Sequence, residues 1–101
     1  MKIFQEMEIE KAVAYSLEGG QALHLHRIIP DPARAPRCFV NAVKRGDDIA
    51  HLFDQDYKRL HMMAHELGVN IVVIERMGTE NQHVDLCGSP LKRAIKLCKD
   101  V

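Results

Sequence analysis

The stretch HVDLCGSPLKRAIKLC, at residues 83–98, places a short strand directly before a helix. Its first five residues alternate polar and apolar side chains, and this period of two predicts a strand over 83–87. Ser89 and Pro90 mark a helix start, because serine is a preferred N-cap and proline is favoured at the first helical position. Apolar residues then recur at helical spacing, so the helix is expected to bury one face. A strand that leads into such a helix is typical of a domain in which helices pack on a sheet.

The segment before this stretch predicts another helix and another strand. Asp54 or Asp56 can cap a helix that runs to Leu67, and Gly68 can end it in the left-handed conformation. Residues 70–75 include four consecutive apolar side chains, which predicts a strand buried on both faces inside the sheet. The expected buried face of the helix consists of Phe53, Tyr57, Leu60, Ala64 and Leu67.

The first half of the chain predicts the remaining elements. Apolar spacing indicates a helix over 6–18, and alternation of leucine with histidine indicates a strand over 21–29. Residues 30–36 contain three prolines and form a predicted loop, after which 38–43 is a second strand. The resulting order is α-β-β-α-β-β-α. It predicts a single domain over 1–101 of the two-layer α/β (α+β) class, with about four strands and three helices.

The composition favours a folded intracellular protein. The chain has 101 residues, 47% of them hydrophobic, and a formal net charge of zero. A balanced charge disfavours nucleic acid as the partner, although basic residues gather near the C-terminus. Three cysteines, an odd number without C-x-x-C spacing, indicate reduced thiols and a cytoplasmic location. No apolar run approaches the roughly 18 residues of a membrane helix, so we expect no membrane partner.

His83 and Asp85 are the first candidates for chemistry. They lie two residues apart on a predicted strand and therefore share a face of the sheet. A carboxylate beside an imidazole fixes its tautomer and raises its basicity, which suits a general base. The structural alternative is a polar edge strand that meets water.

Ser89, Lys92 and Arg93 form a candidate anion site. Positive charge in the first turn of a helix opposes the helix dipole unless an anion is bound there. Backbone amides at the helix start, with Lys92 and Arg93, can hold a phosphate or carboxylate group. The alternative is that both side chains extend into solvent.

The other histidines offer weaker metal patterns. His61 and His65 are one helical turn apart, a spacing that can bind a metal ion, but Met62 stands where a zinc protease needs glutamate. The alternative is two histidines on an exposed helix face. His24 and His26 share a strand face, which favours an exposed sheet surface or a subunit contact over a metal site.

Several short segments, in their order and spacing, resemble domain-of-unknown-function family 4031 over residues 49–97. These segments are HL at 51–52, LH at 60–61, HVDL at 83–86 and KRA at 92–94. Residues 1–37 would be an N-terminal extension to that segment. The resemblance implies no activity, but it marks six residues of this chain: His51, His61, His83, Asp85, Lys92 and Arg93.

One hypothesis is a non-enzymatic regulatory module that binds an anion or a partner. Ser89, Lys92 and Arg93, with His51, would hold a small anionic or phosphate-containing ligand. The methionine pair at 62–63 points away from the predicted buried face, and exposed methionines suit an adaptable contact surface. We therefore expect a homo-oligomer, with nucleic acid as the less favoured partner.

The alternative hypothesis is a small phosphoesterase or nuclease-like hydrolase. His61 and His83 would transfer protons, and Asp85 would orient His83. Lys92 and Arg93 would bind the phosphate and stabilise its developing charge. No cofactor and no metal ligand are assigned, but a metal-dependent variant of this site would use His61, His83 and Asp85 to bind a divalent ion.

Overall fold

The computed structural model describes residues 1–26 and 48–99, which form a four-stranded sheet with three helices. The predicted α+β class is confirmed. The predicted loop at 30–36 and strand at 38–43 lie outside the described residues. The strands are β1 (Lys2–Phe4), β2 (Ala22–His26), β3 (Ile49–Phe53) and β4 (His83–Cys87). The helices are α1 (Ile9–Leu17), α2 (Tyr57–Glu66) and α3 (Gly88–Lys99), and a 3₁₀ turn, Glu6–Glu8, precedes α1.

The sheet has the strand order β1-β2-β3-β4. β1 runs parallel to β2, while the β2–β3 and β3–β4 pairs are antiparallel. In this register His51 lies opposite His24 on one side and Asp85 on the other. The next row places Leu23, Leu52 and Val84 together. Because successive side chains point to opposite faces of a sheet, these rows define a histidine face and a leucine face.

The leucine face forms the main core under α2 and α3. This core excludes water from the inner sides of both helices and from three strands, which is the dominant stabilising contribution in a domain of this size. Its buried residues are Leu23, Leu25, Ala50, Leu52, Leu60, Ala64, Leu67, Val84, Leu86, Leu91 and Ala94. Since both helices lie on this face, the histidine face is left to α1 and to the histidine side chains themselves.

α1 covers one end of the histidine face. Phe4, Ala22 and Phe53 from the sheet pack against Ala12 of this helix in a second, smaller core. The helix was predicted over 6–18, and its first turn is the 3₁₀ segment. It ends where Gly19 takes a φ of 101°, a conformation that favours glycine.

The boundaries of α2 follow the predicted capping residues. The Asp56 side chain accepts a hydrogen bond from the Arg59 amide at 3.0 Å, and Gly68 follows the helix with a φ of 99°. Part of the predicted buried face was wrong. Phe53 belongs to β3, and Tyr57 is half exposed. Phe53 lies four residues before Tyr57 and seven before Leu60, which is helical spacing. The sequence pattern therefore includes the end of this strand in the helix.

The predicted interior strand at 70–75 was also wrong. Ile71 is 82% exposed and Val73 also faces solvent, while Val72 and Ile74 pack against the main core. Only Glu75 pairs with the sheet here, through an isolated bridge to His83. The interior position between β2 and β4 belongs instead to residues 49–53, which the sequence did not identify as a strand.

A buried carboxylate joins the ends of β2, β3 and α2. Asp54 has no exposed surface, and its oxygens accept hydrogen bonds from Gln21 Nε2 at 2.9 Å and from the Asp56 amide at 2.9 Å. Arg59 donates two more, from Nε and Nη2, each at 2.7 Å. The guanidinium also reaches the Gly19 carbonyl at 2.8 Å. These contacts fix the end of the strand that carries His51.

Within residues 1–26 and 48–99, no helix combines the length and apolar character that crossing a membrane requires.

Candidate functional site

The histidine face gathers four of the six histidines in the chain around one carboxylate. We call this group the histidine cluster, and its members are His24, His26, His51, His83 and Asp85. The rings lie close together: those of His51 and His83 meet edge to face with centroids 4.8 Å apart, and those of His24 and His51 stack at 5.6 Å. Three neighbouring strands therefore place these side chains in one compact patch.

His51, His83 and Asp85 form the centre of the cluster. His83 Nε2 lies 3.2 Å from Asp85 Oδ1, and His51 Nε2 lies 3.6 Å from the same oxygen. One potential metal-binding atom from each residue lies within 4.8 Å of the others. The side chains are 22%, 12% and 14% exposed for His51, His83 and Asp85, so the centre is mostly buried but reachable by solvent. The predicted pairing of His83 with Asp85 on one strand face is confirmed.

A backbone carbonyl fixes the orientation of His83. Its Nδ1 lies 2.6 Å from the Asn81 carbonyl oxygen, and since a carbonyl only accepts, Nδ1 must carry hydrogen and donate. In the neutral ring the other nitrogen, Nε2, then carries a lone pair. Nε2, which faces Asp85, is then the nitrogen that could bind a metal ion, because a metal-binding imidazole usually donates its other N–H to a carbonyl or carboxylate.

His24 has the corresponding role beside His51. Its Nε2 donates to the Glu6 carbonyl oxygen at 2.9 Å, and its Nδ1 lies 3.3 Å from Nδ1 of His51. His24 is 1% exposed, so its ring is shielded from water. The strand face of His24 and His26 is therefore covered in part rather than fully exposed.

The two central histidines differ in their pKa values. The pKa of His51 is lowered to about 4: burial is the largest cause, Asp85 partly offsets it, and the neighbouring imidazoles add to the lowering. Burial also lowers the pKa of His83. The hydrogen bonds to Asp85 and to the Asn81 carbonyl outweigh that effect and leave the pKa raised. At neutral pH the cluster thus contains an uncharged His51 beside a His83 that holds a proton more readily.

The structure does not bring His61 to this centre. His61 is exposed on α2, where its ring lies 6.5 Å from that of Tyr57. Because Leu60 and Ala64 of the same helix pack on the leucine face, α2 lies on the opposite side of the sheet from His83 and Asp85. The structure pairs His83 and Asp85 with His51 instead.

The predicted anion-binding residues lie on α3, which also packs on the leucine face. The helix begins at Gly88, so Ser89 lies in its first turn instead of preceding it. Lys92 is exposed, whereas Arg93 Nη1 donates to the Leu67 carbonyl at 2.9 Å, next to the end of α2. Three of the four proposed anion ligands are thus grouped on one helix, and the fourth, His51, lies across the sheet.

Sequence reasoning missed the connection between His24 and His51. A partial signal was present, because His24 and His26 alternate with leucines as residues of a half-buried strand do. Their partner strand, Ile49–Phe53, is short and mostly apolar, and no local pattern in the sequence marks it as a strand. Without that strand, the register that brings His51 between His24 and Asp85 could not be found.

Comparison of the chain with family models, with curated proteins and with solved structures gave no match. The resemblance to family 4031 therefore stays a prediction, and the functional proposal rests on the geometry of the cluster.

Proposed function

We propose that the protein binds a divalent transition-metal ion through His51, His83 and Asp85. The observation that supports this most directly is the approach of one potential ligand atom from each residue to within 4.8 Å of the other two. Two imidazole nitrogens and one carboxylate oxygen form a ligand set suited to Zn²⁺ or to non-haem Fe²⁺. The site replaces the set of His61, His83 and Asp85 that the sequence suggested for a metal-dependent variant.

The two distances to Asp85 agree with a tetrahedral ion. Bonds of the length found in zinc sites place neighbouring ligand atoms about 3.3 Å apart. The nitrogen-to-oxygen distances to Asp85 are 3.2 Å from His83 and 3.6 Å from His51. The potential ligand atoms all lie within 4.8 Å of one another, so the two histidine nitrogens would approach each other by up to about 1.5 Å when an ion binds, a movement that side-chain torsions can supply.

An ion pair between His83 and Asp85 is the competing structural explanation. That pair satisfies the two residues but leaves His51 unexplained. Because His24 Nε2 donates to the Glu6 carbonyl, a neutral His51 would donate to His24 through Nδ1 and direct the lone pair of its Nε2 at the Asp85 oxygen. Two acceptors that face each other without a hydrogen repel. A cation bound between them removes the repulsion and uses all three atoms, which favours the metal site.

Isothermal titration of Zn²⁺ into protein stripped with EDTA tests the proposal. We expect one ion per chain, and binding at least about 100-fold weaker in Asp85→Asn and in His83→Ala, because even indirect partners of a metal typically contribute 10–100-fold. His61→Ala is the matched control, since it removes an exposed imidazole from the other side of the sheet. Equal affinities in wild type and Asp85→Asn would refute the proposal, and a selective loss in His61→Ala would transfer the site to α2.

Metal-assisted hydrolysis is a second candidate activity, favoured by the number of ligands. Three protein ligands leave a coordination position for water, as in catalytic zinc sites, and the centre is partly open to solvent. The ion would lower the pKa of that water and supply a nucleophile. We expect turnover of a phosphodiester or nucleotide substrate with Zn²⁺ or Mn²⁺ that EDTA abolishes. Activity unchanged in Asp85→Asn would contradict it.

Self-association, anion binding and a cytoplasmic location also remain proposals. The side chains of Met62, Ile71 and Val73 are exposed and apolar, which supports a contact surface between copies of the chain. Light scattering coupled to size-exclusion chromatography tests this: we expect a mass above that of one chain, and a monomer at all concentrations would contradict it. For anion binding, Lys92→Ala should weaken the binding of inorganic phosphate.

A further inference from the structure

The contacts of His24 determine which nitrogen of His51 carries hydrogen. His24 Nε2 lies 2.9 Å from the Glu6 carbonyl oxygen and must donate to it, because that oxygen can only accept. With one hydrogen on its ring, His24 then has a lone pair on Nδ1. That lone pair lies 3.3 Å from Nδ1 of His51, which is therefore the donor of the second hydrogen bond.

We propose that His24 is a positioning residue for the metal site, which it serves by holding His51 in the tautomer whose Nε2 is free of hydrogen. This inference rests on the proposed metal-binding function. A chain of hydrogen bonds, from Nδ1 of His51 through His24 to the Glu6 carbonyl, connects the site to the 3₁₀ turn before α1. Such outer partners of a metal-binding histidine fix its ring orientation and raise its basicity as a ligand.

The opposite tautomer would disable the site. Hydrogen on Nε2 of His51 would point at the Asp85 carboxylate and would block both atoms from a metal ion. At 3.6 Å this contact is too long for a good hydrogen bond, whereas the contact with His24 is shorter. The opposite tautomer would also leave two nitrogen lone pairs facing each other at a buried His24, and burial makes unpaired polar contacts costly. His24 thus favours the metal-binding form before any ion arrives.

NMR of the metal-free wild-type protein tests the tautomer directly. In long-range ¹H–¹⁵N spectra at neutral pH, we expect His51 Nδ1 to resonate as a protonated nitrogen and Nε2 as an unprotonated one. For His24 we expect the reverse pattern. Hydrogen on Nε2 of His51 in the metal-free protein would overturn the inference. This experiment uses no metal, so it stands or fails separately from the proposed function.

Substitutions of His24 test its effect on binding. His24→Leu removes the acceptor, and we expect Zn²⁺ affinity to fall by about 10–100-fold. In His24→Gln an amide oxygen can accept from His51 while the amide nitrogen donates to Glu6, so affinity should recover to within a few-fold of wild type. His65→Leu, on the exposed face of α2, is the control for an unrelated loss of imidazole.

The outcomes separate the two proposals. Tight Zn²⁺ binding that is unchanged in His24→Leu, or lost equally in the leucine and glutamine variants, would overturn the role of His24 while leaving the metal site intact. No binding by wild type with the expected tautomer would refute the metal site alone. Should His24→Leu fail to fold, the wild-type tautomer and the glutamine variant still decide the question.

Discussion

Replacing Asp54 with alanine should destabilise the fold by about 3 kcal/mol. The substitution removes a carboxylate with no exposed surface and all four hydrogen bonds that its oxygens accept. Gln21 is buried, so its amide would lose its partner without access to water, at a cost of about 1–3 kcal/mol. Arg59 is partly exposed and can rehydrate, so its share of the loss is discounted to about 1 kcal/mol.

Urea unfolding followed by circular dichroism measures this loss. A double-mutant cycle of Asp54→Ala with Arg59→Ala isolates the ion pair, and we expect a coupling energy of about 1 kcal/mol. Glu66→Ala, an exposed carboxylate at the end of α2, is the control and should shift stability by less than about 0.5 kcal/mol. A loss below 1 kcal/mol in Asp54→Ala would refute the idea that this carboxylate fixes the end of β3.

Two further predictions concern the turn after α2 and acid stability. Gly68→Ala should cost about 1–2 kcal/mol in urea unfolding, because residue 68 has a φ of 99° and a new Cβ would collide with the Arg93 guanidinium; unchanged stability would contradict this account. Metal-free protein should lose stability by up to about 1.4 kcal/mol per pH unit between pH 6.5 and about 4, since unfolding lets His51 take up a proton that the folded state resists. His83 acts in the opposite sense: its contribution is full below pH 6.5 and is lost as the pH rises through its raised folded pKa. The difference between wild type and His51→Gln isolates the effect of His51, and equal slopes in the two proteins would disprove it.

Local signals in the sequence predicted α2 and β4, because helix capping and side-chain alternation involve only residues close together in the chain. The aspartate before α2 and the glycine after it act on neighbouring backbone groups, so Asp56 and Gly68 marked the helix correctly. β4 was identified with its observed bounds, because its alternation of side chains is visible within five residues. The same alternation placed His83 and Asp85 on one face, as the structure has them.

The register of the sheet was not predictable in this way. β3 is short and largely apolar. Its position between β2 and β4 depends on the pairing of His51 with His24 and with Asp85, which lie 27 and 34 residues away in the sequence, respectively. The apolar run at 70–75 gave a stronger local signal for an interior strand, yet two of its side chains face solvent. Competition between segments for one place in a sheet is decided by packing across the whole domain, which a local pattern does not contain.

The candidate site shows the same difference between what local sequence signals predict and what the register of the sheet determines. The resemblance to family 4031 marked six residues, and the three that meet are those carried by β3 and β4, namely His51, His83 and Asp85. The remaining three lie on α2 and α3, which pack on the leucine face. Residue types and spacing therefore predicted which groups could do chemistry, while the strand register determined which of them face one another.

The most direct measurement of the central claim is a crystal structure of the protein grown with Zn²⁺, with anomalous diffraction recorded on both sides of the zinc absorption edge. We expect one anomalous peak per chain, within about 2.0–2.2 Å of His51 Nε2, His83 Nε2 and an Asp85 carboxylate oxygen. A peak beside His61 and His65, or no peak between the three central residues at saturating zinc, would contradict the metal site.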